Sequence, residues 1–197
     1  MFSFWHKFIR VILIFIPIIT FGWLAAKAIA PNGRMEATYD MARESPFVSK
    51  LYPKDRVSEI KQDADQEVYR VLKDEPVYFD LSPNSNFSEV AVTIRYKNSR
   101  DVPFKFGGLA DKDSWVFDFR ELPPTAGALQ TKTEIFELGK LSPEGKKFRF
   151  GFSAPGFLAG DIQIYKIRAL FIRKPMTEKE AANRVLEEII ERLNIIL

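Results

Sequence analysis

Period-two alternation of apolar and polar residues constrains this chain more than any other feature. The clearest run is Glu89–Lys97, where Val90, Val92, Ile94 and Tyr96 point one way and Ala91, Thr93, Arg95 and Lys97 the other. This spacing sets one side of a strand on a core and the other toward water, which no helical face can do. The same period begins at Val68, Arg70 and Leu72 and continues through Pro76–Leu81. Trp115, Phe117 and Phe119 alternate with Val116, Asp118 and Arg120, and Phe148, Phe150 and Phe152 with Arg149, Gly151 and Ser153. Asp161–Lys174 places Ile162, Ile164 and Tyr165 ahead of Ile167, Ala169 and Phe171, and shorter runs occupy Val102–Phe106 and Lys132–Leu138. Turn signals fall between the runs at Pro83-Asn84, Asn98-Ser99, Gly107-Gly108, Pro123-Pro124, Ser142-Pro143 and Pro155-Gly156. Many short strands with no helix between them predict a mainly β body, an antiparallel β-sandwich rather than a βαβ sheet. Trp115 shares a face with Phe117 and Phe119, which reads as the core side of its strand, a sugar-stacking platform being the alternative.

The two last runs also carry a resemblance. Phe148-Arg149-Phe150-Gly151-Phe152-Ser153-Ala154-Pro155-Gly156, followed by Ile162 to Phe171, resembles the closing strand pair of galactose-binding-like jelly rolls. Those domains occur as carbohydrate-binding modules and as accessory domains of surface proteins. The resemblance implies a jelly-roll order for the sandwich and admits a glycan as ligand.

The ends of the chain follow other rules. Val11–Ala26 carries no charge, and Ala28-Ile29-Ala30 extends it past Lys27. With Lys27 snorkelling, the apolar stretch spans about 20 residues, the length that crosses a hydrocarbon core of roughly 30 Å. Trp5 and Trp23 sit toward its two ends, as interfacial aromatics do. A transmembrane helix that anchors the chain is one reading of residues 1–30. The other is a cleaved signal peptide, with Lys7 and Arg10 ahead of the apolar run and Ala26-Lys27-Ala28 as the cleavage site. Both place the body outside the cytoplasm. Residues 31–55 read as a tether, and 56–175 as the sandwich. At the other end Thr177 and Glu180 form a capping box after Pro175. Leu186, Ile190, Leu193 and Leu197 then recur at helical spacing, which predicts an amphipathic helix over 176–197. Its apolar stripe either packs on the sandwich or receives a protein partner.

Charge and residue inventory narrow the function. The chain has 29 Lys and Arg against 26 Asp and Glu. Lys7, Arg10 and Lys27 precede the body, which is therefore formally neutral and lacks the basic footprint of a nucleic-acid binder. There is no cysteine, and the one histidine, His6, lies in the leader. Disulfides, thiolate metal sites, cysteine nucleophiles and histidine general bases are thereby excluded from the body.

Few constellations remain. Asp111-Lys112-Asp113-Ser114 offers oxygen ligands in a loop at one end of the sandwich, so Asp111, Asp113 and Ser114 form the candidate ligand-binding loop. They supply too few oxygens for a calcium site by themselves, and no metal or cofactor is expected. Tyr52, Tyr69, Tyr78, Tyr96 and Tyr165 are further candidates for a binding surface, although alternation groups Tyr96 with the core. Asp118 and Glu121 can be drawn as an acid–base pair, but they read equally as solvated charges on a strand. Asn86-Phe87-Ser88 is a glycosylation sequon. No catalytic fingerprint occurs. The expected function is therefore non-enzymatic: a membrane-anchored extracytoplasmic scaffold, an accessory subunit of an envelope or transporter assembly. Its protein partner would dock on the helix bearing Leu186, Ile190, Leu193 and Leu197. The alternative is a surface-displayed or secreted carbohydrate-binding module.

Overall fold

Among the described residues, ten strands in two antiparallel sheets make up the body. A computed structural model describes residue 16 and residues 33–43, 45–84 and 86–173. The leader reading (apart from Ile16) and the C-terminal helix reading lie outside the described residues, among which no helix is long and apolar enough to cross a membrane. The strands are β1 (Arg34–Tyr39), β2 (Lys61–Gln62), β3 (Val68–Val71), β4 (Val77–Leu81) and β5 (Glu89–Asn98). They continue as β6 (Phe104–Asp111), β7 (Val116–Leu122), β8 (Gln130–Glu137), β9 (Phe148–Ser153) and β10 (Ile162–Ile172). One sheet runs β2-β3-β10-β5-β8, with β1 also paired to β10, and the other runs β4-β9-β6-β7.

Alternation becomes burial where it was clearest. Val90, Val92, Ile94 and Tyr96 of β5 are fully buried while their neighbours are only half covered. β10 breaks the period for a physical reason. Its register against β5 slips between Ile164 and Lys166, so Tyr165 is an extra residue. That bulge lets Ile162 and Ile164 ahead of it and Ile167, Ala169 and Phe171 after it all face the core. The sheets meet through aromatic rings, Phe136 of β8 standing edge-on to Phe150 at 5.1 Å and Phe106 at 5.5 Å; within the four-stranded sheet Phe79 lies 5.5 Å from both Phe150 and Phe152. β9 and β10, the pair that carries the family resemblance, fall in opposite sheets.

Two expectations are corrected here. From Met35 onward the stretch read as a tether belongs to the body. It supplies β1 and the core residues Tyr39, Met41, Val48 and Leu51. Residues 48–52 run along the edge of β4 through single bridges, Val48 to Leu81 and Tyr52 to Tyr78, so no sustained alternation marks them. Gly107-Gly108, read as a turn, lies inside β6. Gly107 faces Gly151 across the β6–β9 pair, and a Cβ at Gly107 would run into the backbone carbonyl of Asp118.

One buried polar knot closes an end of the sandwich. The Thr125 hydroxyl accepts from the Asn98 N–H at 2.9 Å and donates to the Asn98 carbonyl at 2.8 Å. The Asp101 carboxylate accepts from the N–H groups of Thr125 and Ala126. Thr125→Val keeps the shape and strands both backbone groups of a residue that is 0% exposed. Urea unfolding is expected to show a loss of about 1–3 kcal/mol, the desolvation cost of unpaired buried groups.

Candidate functional surface

The four-stranded sheet has an outer face built around two missing side chains. Gly151 of β9 pairs with Gly107 of β6 on one side and Tyr78 of β4 on the other. Tyr78 and Phe117 lean in from the two edges of the sheet and close over Gly151. A Cβ placed there would lie 3.1 Å from the Phe117 ring and 3.2 Å from that of Tyr78. The two rings are therefore stacked on each other, 5.9 Å apart at 18°, although they come from opposite edge strands. Tyr52 extends the row beyond Tyr78 at 5.8 Å, and Phe119 extends it beyond Phe117 at 5.3 Å. Trp115 stands beside the row, 6.1 Å from Tyr78 and 6.4 Å from Phe117.

This surface is wet. Trp115 is 53% exposed and Phe119 36%, which corrects the expectation that the indole belongs to the core. Alternation correctly groups Trp115 with Phe117 and Phe119, but the shared face is the outer one. Register shows why: Phe106 of β6, a core residue, pairs with Arg120, so the inward residues of β7 are Asp118, Arg120 and Leu122. Arg120 reaches over the Phe136 ring at 5.9 Å and binds Asp118 at 2.8 Å, so a polar pair occupies the inward side of this edge strand.

Trp115 is aimed by the tight turn that precedes it. The Asp111 carboxylate accepts the N–H of Asp113 at 2.9 Å and the hydroxyl of Ser114. The Ser114 bond, followed by the backbone bond from Asp113, holds the Asp111 carboxyl below its usual range. Trp115 then adopts a φ of 54°, the left-handed conformation that ends the turn. The structure thus gathers Asp111, Asp113 and Ser114 into the β6–β7 hairpin turn, where the Asp111 oxygens are engaged within the loop. Among the described residues no group of three or more acidic or histidine side chains could hold a metal ion.

A fixed cation borders the rings. The Arg149 guanidinium lies 5.8 Å from the centre of the Tyr52 ring and 5.5 Å from that of Trp115, within cation–π range of both. Its Nε donates to the Tyr52 hydroxyl at 2.8 Å and to Asp80 at 3.3 Å, and Nη2 donates to Glu144 at 2.7 Å. The Tyr52 hydroxyl in turn donates to Asp80 at 2.7 Å. Burial and then the hydrogen bond to Asp80 push the Tyr52 phenol well above its ordinary pKa, so it stays a neutral donor. Burial disfavours charge on Arg149, but Tyr52 and Asp80 outweigh it and raise its pKa further. The arrangement can stack a ligand and offer it oriented hydrogen-bonding groups. Its carboxylates are held by Arg149.

The other sequence candidates lie elsewhere. Asp118 and Glu121 point to opposite faces of β7, the first paired to Arg120 and the second to Lys105 at 3.1 Å. Tyr96 is buried, its phenol pushed up to about 12 by burial and then by the Asp101 charge, and its hydroxyl donates to the Pro123 carbonyl. Tyr69 and Tyr165 stack on each other at 5.1 Å in the six-stranded sheet. Leu186, Ile190, Leu193 and Leu197 lie outside the described residues. The glycine pair under the rings escaped the sequence, although Gly151 breaking the outer side of a Phe-rich strand was its signal.

No family model matches the chain, and no curated protein does. Solved carbohydrate-binding modules are similar to it in fold. The xylan-binding module CBM15 aligns at 18% identity and a TM-score of 0.47, over 73% of this chain and 100% of the module. The CBM22-1 xylan-binding domain of Xyn10C from Paenibacillus barcinonensis aligns at 8% identity and 0.47, over 70% of this chain and 94% of that one. A family 35 carbohydrate-binding module from Clostridium thermocellum gives 11% and 0.46, over 68% of this chain and 97% of that one.

Proposed function

We propose that the body is a non-catalytic glycan-binding module whose ligand lies across the aromatic row of the four-stranded sheet. The observation that carries this is the placement of five rings, Tyr52, Tyr78, Trp115, Phe117 and Phe119, on an outer sheet face instead of in the core. Apolar rings gathered on a water-facing surface mark a binding site. Sugar rings suit this one: their C–H faces stack on aromatics, and their hydroxyls pair with oriented groups such as Arg149 and Asp80 at the border. The open face accommodates an extended chain lying across the strands. Calorimetric titration of the full-length protein with β-1,4-linked xylohexaose, cellohexaose and mannohexaose and with oligogalacturonate tests it. Saturable binding to at least one is expected, and silence across the set would overturn the proposal.

We further propose that the module is displayed at a membrane with its body outside the cytoplasm. Support comes from the uncharged run Val11–Ala26, with Lys7 and Arg10 before it and Trp5 and Trp23 toward its ends. Full-length protein is expected in the carbonate-washed membrane pellet of its native cells, and its body is expected to be cut by protease added outside. A soluble chain starting near Ile29 would instead identify a cleaved leader, and a soluble chain of full length would contradict both.

A further inference from the structure

Arg34 and Arg173 lie at the same end of the sandwich. Arg168 of β10 binds Glu36 of β1 at 2.6 Å, and the Met41 carbonyl accepts from Arg70 Nε at 3.4 Å. Arg70 pairs with Ile164 of β10, so the path back from Met41 to Glu36 follows β10 from Ile164 toward Arg168. The start of β1 therefore sits by the Ile172 end of β10, where Arg173 departs. Residues 82–88 and 138–147 close this end. The Ser88 N–H donates to the Ile172 carbonyl and the Leu138 N–H to the Ser88 carbonyl, both at 2.9 Å. The chain has little slack here. Pro31 and Asn32 alone separate Ala30, where the apolar leader stops, from Gly33. Three extended residues reach about 10 Å at most, so a leader embedded in a bilayer keeps this end of the body close to lipid.

The surface at this end suits that neighbour. A pocket of about 370 Å³ opens between the two segments, with Phe87, Leu138 and Phe148 in its apolar lining and Lys146 among its polar residues. Lys146 and Lys147 are exposed, and neither has an ion pair or side-chain hydrogen bond among the described residues. The nearby acids are committed: Glu144 is held by Arg149 at 2.7 Å, and Glu137 by Lys140 at 2.9 Å. Residues 82–88 carry no charge. Two unpaired ammonium groups beside an apolar pocket match a phospholipid, anionic at its phosphate and apolar below it.

We propose that this end of the sandwich docks on an anionic phospholipid surface, with Lys146 and Lys147 on the phosphates. This rests on the membrane reading of residues 1–30 and goes beyond it, since the body then lies on the bilayer instead of swinging from it. Each lysine near an anionic surface favours contact by about fivefold, so the pair favours it by about thirtyfold.

Fluorescence quenching tests this, with the full-length protein reconstituted in vesicles of phosphatidylcholine alone or mixed with phosphatidylglycerol. The chain has no cysteine, so Asn84→Cys or Leu158→Cys carries a single dye. Asn84 is exposed at the docking end, and Leu158, 62% exposed, lies at the opposite end beside Asp161. A nitroxide on the lipid headgroup quenches a dye that touches the surface. In mixed vesicles the Asn84 dye is expected to be quenched several-fold more than the Leu158 dye. Lys146→Gln with Lys147→Gln is expected to reduce that quenching to its value in phosphatidylcholine alone. Lys73→Gln with Lys97→Gln, toward the opposite end, is expected to leave it intact. Equal quenching at Asn84 in the two vesicle types, equal quenching at Asn84 and Leu158, or quenching that survives the Lys146/Lys147 change overturns the docking and leaves the anchor standing. Loss of the quenching in the Lys73/Lys97 control reduces it to bulk charge and also overturns the docking. Protein that fails to float with the vesicles overturns anchor and docking together.

Discussion

Trp115→Ala is expected to lower glycan affinity by at least tenfold, about 1.4 kcal/mol, while the unfolding free energy stays within about 0.5 kcal/mol of wild type. The two halves of that expectation come from one fact. The indole is 53% exposed, so removing it leaves no cavity, yet it supplies the largest ring on the outer face. Its neighbours divide the effect differently. Phe117 is half-buried, stacked on Tyr78 at 5.9 Å and Phe119 at 5.3 Å, and its ring lies over Gly151. Phe117→Ala is therefore expected to lose binding and also about 1–2 kcal/mol of stability, since the rings on either side lose their support. Calorimetry for affinity and urea denaturation for stability separate the two variants. Affinity unchanged in both would remove the row from the binding account.

The second large effect concerns what holds the face flat. Phe152 of β9 is 1% exposed and meets Phe79 at 5.5 Å, Phe104 at 5.6 Å and Phe106 at 6.4 Å. Phe152→Ala should cost about 3–5 kcal/mol, because close-packed rings from the two flanking strands, β4 and β6, cannot collapse into the space left behind. Against a typical domain stability of about 5–15 kcal/mol, that is about a fifth of the total or more. Phe152→Leu fills most of the volume and should cost about 1–2 kcal/mol. Phe119→Ala removes the same ring from a position 36% exposed and should cost under about 1 kcal/mol. Urea denaturation of the three variants checks the order; equal losses for Phe152→Ala and Phe119→Ala would mean the inward and outward faces are wrongly assigned.

The sequence made strands legible wherever one side met the core and the other met water, as at Val90 to Tyr96. It failed where that contrast disappears. Residues 48–52 join β4 through isolated bridges, so the apolar Val48 and Leu51 look like scattered hydrophobics in a tether. Trp115 shows the other limit. Period two tells which residues share a face but not which face is inside, and two aromatic faces on one strand pair defeat the rule that apolar means buried. Only the pairing of β7 with β6, which sets Phe106 against Arg120, orients the indole. The site was legible as an inventory, Tyr52, Tyr78 and Trp115, and illegible as a surface, because Tyr52 is 63 residues from Trp115 in the chain. The glycines beneath Tyr78 and Phe117 are informative only once Gly107 and Gly151 are known to be partners.

Indole fluorescence tests the central claim most directly. Trp115 is one of three tryptophans, and Trp5→Phe with Trp23→Phe makes it the sole indole reporter in the full-length protein. Titration with the oligosaccharide that gives the largest calorimetric signal is expected to shift and saturate its emission at the calorimetric midpoint. Saturable heat with unchanged Trp115 emission would place the ligand elsewhere and contradict the assignment of the outer sheet face as the binding surface.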